Sequence, residues 1–151
     1  MPVHFYIPDQ EQAWDRLDQE LMASRSCLSA EAIAALRASG RLQVHAMATD
    51  EAEFGYLVLL VVNSGPAPWL TVFWCEAKPS RSLRELKDWL WYAARYLEWV
   101  AQRLECSEVR ISVAQDHPSR RWMERLREVG FAPRQIELGL PVTEQEASWV
   151  A

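Results

Sequence analysis

Glycine is scarce in this chain, with five residues in 151 and none between Gly65 and Gly130. The turn before residue 83, within that stretch, therefore has no glycine to let backbone come close to a phosphate. Cysteine is sparse as well. Cys27, Cys75 and Cys106 stand far apart and outside any metal-ligand spacing, which argues for reduced thiols in a cytosolic compartment and against a disulfide framework. His4, His45 and His117 make no ligand pattern, so structural or solvent-facing roles are expected and no metal. Basic charge is also short: 16 Lys and Arg stand against 21 Asp and Glu, for a formal net charge of −5. This balance argues against a nucleic-acid-binding surface, and the local cluster Arg120, Arg121, Arg125 and Arg127 reads as a solvated helix face. No repeat, low-complexity segment, signal peptide or apolar run of membrane-spanning length is present. A cytoplasmic, soluble protein is expected. Half of the residues are hydrophobic, which predicts a single compact domain over 1–151 with a sizeable core and a tail, 141–151, that is loose or docks through Trp149.

The chain is organised around residues 69–110. Residues 69–75 are β-branched and aromatic, as suits a packed strand. Pro79 then interrupts the ladder, since it has no N–H to donate. Ser82 with Glu85 makes a capping box, so a helix is expected from Leu83 to about Leu104, roughly six turns. A strand, a turn and a helix start at this spacing can present free N–H groups and the positive end of the helix dipole to an anion.

Before this stretch come a short strand at 3–7 and a helix capped by Asp9 with an apolar stripe of Ala13, Trp14, Leu17, Leu21 and Met22. A second helix follows from Ser29 to near Gly40. Residues 42–47 alternate like a half-buried strand, and 54–62 are apolar throughout, like a strand covered on both faces. After the long helix, 108–114 alternate, 118–129 form a helix closed by Gly130, and 134–140 form a last strand. The strands at 54–62 and 69–75 should pair antiparallel. The strand at 108–114 should lie parallel to 69–75, because a helical crossover joins them.

This order of elements, with the stretch from Val113 to Gly130 and Phe131, resembles the GCN5-related N-acetyltransferase (GNAT) superfamily. The likeness runs from about Trp69 to Leu140 and more loosely over the whole chain. It implies an α+β, GNAT-like acyl-CoA N-acyltransferase fold. Its central sheet is mixed and mostly antiparallel, flanked by helices in the order β-α-α-β-β-β-α-β-α-β. It also implies a coenzyme A site. In that superfamily the turn before the long helix carries Gln/Arg-x-x-Gly-x-Gly/Ala, whose backbone N–H groups hold the cofactor's pyrophosphate. The matching residues here are Arg81, Ser82, Leu83, Arg84, Glu85 and Leu86. Arg81 fits, but Arg84 and Leu86 stand where small residues belong. The superfamily's general acid, a tyrosine, falls at Leu126. Glu76 is the candidate general base, and it reads equally well as a solvated strand-end residue.

Two readings follow. In the first, the fold is retained without catalysis, no cofactor is used, and the cleft mouth is filled by side chains such as Leu83 or Arg84. In the alternative, the protein is an active N-acetyltransferase using acetyl-CoA on an unidentified amine, with Lys78, Arg81 and Arg84 contacting phosphates through side chains. The long helix supports the first reading. Leu83, Leu86, Leu90, Ala93, Ala94, Leu97, Ala101 and Leu104 form its sheet-facing stripe. Tyr92, Tyr96 and Trp99 fall on roughly the opposite face, with Arg95 and Arg103 as rim residues. That ridge is expected to bind a protein partner or a second copy, unless the first helices or the tail cover it. The small size, glycine-free turn and charged-aromatic helix further resemble acetyltransferase-like proteins of short-tailed bacteriophages. That resemblance implies a virion or assembly role, in the host cytoplasm or the virion.

Overall fold

The computed structural model describes residues 2–26, 28–77, 83–112 and 120–133, with backbone alone at 83–87 and 120–121. Its elements are β1 (His4–Tyr6), α1 (Gln10–Arg16), α2 (Gln19–Arg25), α3 (Ala30–Ala38), β2 (Leu42–Ala48), β3 (Glu53–Val62), β4 (Trp69–Ala77), α4 (Leu83–Arg103), β5 (Val109–Arg110) and α5 (Arg120–Glu128). The expected strand at 134–140 and the tail lie outside the described residues.

Three short helices stand where two were expected. The apolar stripe of residues 13–22 is real, but Leu17 is extended (φ −91°, ψ 146°) and divides it into α1 and α2. The cause is a second cap: the Asp18 carboxylate accepts from the Leu21 N–H at 3.0 Å, as Asp9 does from Gln12 at 3.0 Å. A short acidic side chain that can bond the backbone two or three residues ahead competes with helix continuation. The break turns Trp14, Leu17 and Met22 into one cluster with Ile33, Leu42, Val44 and Val58.

The five strands lie in the order β1-β2-β3-β4-β5. β1 through β4 pair antiparallel, and β5 is parallel to β4 through Leu70 with Val109 and Thr71 with Arg110, as the crossover through α4 requires. α1–α3 pack on one face of the sheet. α4 packs on the other, where Leu97, Val100 and Ala101 meet Met47, Leu57, Leu59 and Leu70. β2 is therefore covered on both faces, and Leu42, Val44, His45, Ala46 and Met47 are all buried; the alternation in its sequence understated this. Gln10 closes the edge of β2 beyond β1, its amide donating to Val44 O at 2.8 Å and accepting from Val44 N–H at 2.9 Å.

Three helix ends share one stop. After α3, α4 and α5, a residue of positive φ follows: Gly40 (76°), Glu105 (56°) and Gly130 (111°). In each case the next N–H reaches back five residues, from Arg41 to Leu36, from Cys106 to Ala101 and from Phe131 to Leu126. This is the Schellman arrangement, which glycine ordinarily serves. At α4 a glutamate serves instead.

Candidate functional site

β4 leads from the sheet core toward the start of α4. Its ladder with β3 shifts at Phe73, since Val58 pairs with Trp74 while Leu59 pairs with Val72. One extra residue in a strand bends it and increases its twist. The ladder to β5 covers only Leu70 and Thr71, so from Val72 onward β4 has no partner on that side among the described residues. The two strands part there among the described residues.

Glu76 lies beyond the shift, opposite Tyr56. Its carboxylate accepts from Trp74 Nε1 at 2.8 Å, a bond between neighbours on one strand face. Arg81, Ser82 and Lys78 fall outside the described residues. Leu83, Arg84, Glu85 and Leu86 form the first turn of α4, and their backbone alone is described, so the expected filling of the cleft mouth by their side chains falls outside what is described. Leu126 is 3% exposed and packs with Leu90, Ala94 and Val129. That position has no proton to give.

The aromatic residues of α4 divide between two environments. Tyr96 turns toward the sheet and not outward with its neighbours. Its ring stacks on Phe5 at 4.8 Å, and its hydroxyl meets Nδ1 of His45. Desolvation raises its pKa to about 12. The reason is its angle on the helix, roughly 60° from Trp99 at 100° per residue, which brings it over the rim of the sheet. Trp99 is 45% exposed, stacked on Tyr96 at 5.7 Å, with the Arg103 guanidinium over its ring at 4.8 Å. Tyr92 is half-buried and lies edge-on to Trp91 at 5.2 Å. Arg95 donates to Val129 O at 2.6 Å and pairs with Glu98 at 3.3 Å, so it is drawn toward α5. Trp91, 49% exposed, was not among the sequence candidates. Its place four residues before Arg95 was the available signal.

His45 is fully buried, on β2 beneath Tyr96. Burial pushes its pKa down to about 4, so the ring is neutral. Nε2 faces Gln43 Oε1 at 3.1 Å. That carbonyl oxygen only accepts, so Nε2 carries the proton and Nδ1 accepts from Tyr96.

A second polar cluster lies on the α1 side. The Tyr6 and Tyr56 hydroxyls donate to Glu53, and Arg16 donates to Tyr56 Oη at 3.2 Å. These bonds hold the Glu53 carboxyl below its usual range, the Tyr56 bond contributing most and Tyr6 next. Sequence reasoning missed this group because it is assembled from three elements, and only the pairing of β1, β2 and β3 makes Tyr6 and Glu53 neighbours.

These features define an acetyltransferase fold. The chain has the fold of GNAT-type acetyltransferases. It is similar to an aminoglycoside acetyltransferase from an uncultured soil metagenomic sample (8% identity, 95% of this chain and 100% of that one, TM-score 0.63). It is also similar to an aminoglycoside 6'-N-acetyltransferase of Acinetobacter haemolyticus (15% identity, 93% and 98%, TM-score 0.59). A protein of Thermus thermophilus is similar as well (23% identity, 93% and 97%, TM-score 0.54). No family model and no curated protein matches the sequence. No described helix is long and apolar enough to cross a membrane.

Proposed function

We propose that this chain is an acetyltransferase-fold domain without coenzyme A chemistry, working as a protein-binding, assembly-type component. The observation that carries this reading is Leu126. It stands where the GNAT resemblance puts the acid tyrosine, and it is buried among Leu90, Ala94 and Val129. General acid catalysis needs a donor within hydrogen-bond reach of the leaving group, and leucine offers none. The turn before α4 supports the same reading. It has no glycine to let backbone approach a pyrophosphate, and Arg84 and Leu86 stand at the positions that need it. The Glu76 carboxylate is engaged by Trp74. Binding then falls to the outward face of α4, where Trp99 and Arg103 lie exposed with Tyr92 and Arg95 beside them. The bacteriophage setting, with a virion or host-cytoplasmic location, rests on the sequence resemblance alone.

Calorimetric titration of the full chain with coenzyme A and with acetyl-CoA tests the proposal. No saturable heat is expected at micromolar ligand. Saturable binding in that range overturns it.

A second reading, an active acetyl-CoA-dependent N-acetyltransferase on an amine, is favoured by one feature. β4 runs on without a partner toward β5 beyond Thr71 among the described residues, and such a parting of strands is where an extended ligand can add its own hydrogen bonds. The same titration separates the two.

A further inference from the structure

We infer that the outward face of α4 pairs with the same face of a second copy of this chain, antiparallel, about a two-fold axis passing between Arg95 and Tyr96. The inference rests on the binding role proposed above and names the partner. The outward line of the helix runs Asp88, Trp91, Arg95, Trp99 and Arg103, all exposed, with the half-buried Tyr92 beside them, a spacing of three to four residues that keeps them within an arc of about 120°. Arg95 and Glu98 pair with each other, and the two end charges are opposite, with Asp88 at the N-terminal end and Arg103 at the C-terminal end, about 22 Å apart at 1.5 Å per residue. An isologous contact must complement itself. The one axis that sets Asp88 against Arg103 also sets Tyr92 against Trp99, so the acid–base pair and the aromatic pair each occur twice in the same register. Arg95 falls nearest the axis, where two like charges would meet. It is held away by its bonds to Val129 O (2.6 Å) and Glu98 (3.3 Å), which turn its guanidinium toward α5. Trp99 arrives with its ring already in contact with Tyr96 and Arg103, so less rotamer freedom is lost on association.

A face one helix wide lies at the small end of interface sizes, so dissociation on the order of 10 μM is expected. Sedimentation velocity of the full chain across that concentration should show the monomer mass of 17.4 kDa giving way to twice that value. Trp99→Ala should weaken association by at least about tenfold while the melting of the dilute monomer stays in place. Asp88→Arg and Arg103→Asp, each creating two like-charge contacts by symmetry, should each weaken it by about tenfold. The two exchanges combined should restore it, an outcome that a different protein partner on this face would not produce. A wild-type chain that stays monomeric throughout, single variants that dimerise unchanged, or a combined exchange that fails to recover would each overturn the inference. Coenzyme A binding by a dimer would remove the non-catalytic reading and leave this interface standing. A monomer indifferent to coenzyme A would do the reverse.

Discussion

Tyr96 on α4 donates its hydroxyl to Nδ1 of His45 on β2, with the two rings 5.4 Å apart and inclined at 72°. This bond ties the long helix to β2, the strand next to the sheet edge. It also decides that Tyr96 belongs to the fold and that Trp99 is the residue to alter in tests of association.

Removing only the hydroxyl isolates the bond. Tyr96→Phe keeps the stack on Phe5 but leaves Nδ1 of a fully buried histidine without a donor. A loss of about 1–3 kcal/mol in denaturant unfolding is expected. An unchanged midpoint would mean that the bond contributes nothing net.

His45 also sets an acid dependence. The unfolded chain binds a proton on this residue below about 6.5, whereas the folded chain resists it until about 4. Its contribution to stability is complete above the upper value and is lost as pH falls toward the lower, by an amount on the order of 3 kcal/mol. Melting temperatures from pH 7 to pH 4.5 should therefore fall more steeply for the wild type than for His45→Gln, although the variant starts lower. Parallel slopes would show that the ring does not titrate as its burial requires.

Glu105 ends α4 in a conformation that glycine adopts without strain, at φ 56°. Glu105→Gly should stabilise the chain by up to about 1 kcal/mol, because the cost of a Cβ in the left-handed region outweighs the added freedom of the unfolded chain. Chemical denaturation measures this directly, and a destabilised variant would show that the Glu105 side chain makes a contact worth more than the strain.

Gly55 is the opposite case. A Cβ there would stand 2.3 Å from Glu76 O, 2.8 Å from the Met47 methyl and 2.9 Å from Ala77 Cα. Gly55→Ala should cost about 2 kcal/mol or more, since strand backbone has to move to admit it. A neutral substitution would imply that β3 and β4 separate easily at this end.

Much of the architecture was legible in local chemistry. Caps at Asp9 and Ser29, the stops at Gly40 and Gly130, the α4 stripe from Leu90 to Ala101 and the strand composition of 54–62 and 69–75 are all short-range signals, and each element lies where those residues put it; Leu104, expected at the end of that stripe, instead lies past the last residue of α4 and is 44% exposed. The pairing of β3 with β4 and the parallel entry of β5 followed from connection geometry. Asp18 was legible in principle, as a capping residue within an apolar stripe, but a stripe on its own cannot say whether a helix continues or restarts.

What the sequence offers about function is local and rests on the GNAT resemblance: no glycine between Gly65 and the start of α4, and leucine at 126, where that resemblance puts the acid tyrosine. The tertiary structure decided which aromatic residues are available. Tyr96 and Trp99 differ by only three positions on one helix, but the first lies over His45 and Phe5 and the second over solvent. The angle of about 60° between them on the helix is legible in the sequence, but where the sheet's rim falls beneath that arc is not. The Tyr6, Glu53, Tyr56 and Arg16 group is invisible in sequence for the same reason. Its members are remote along the chain, and only strand register and the seating of α1 make them neighbours.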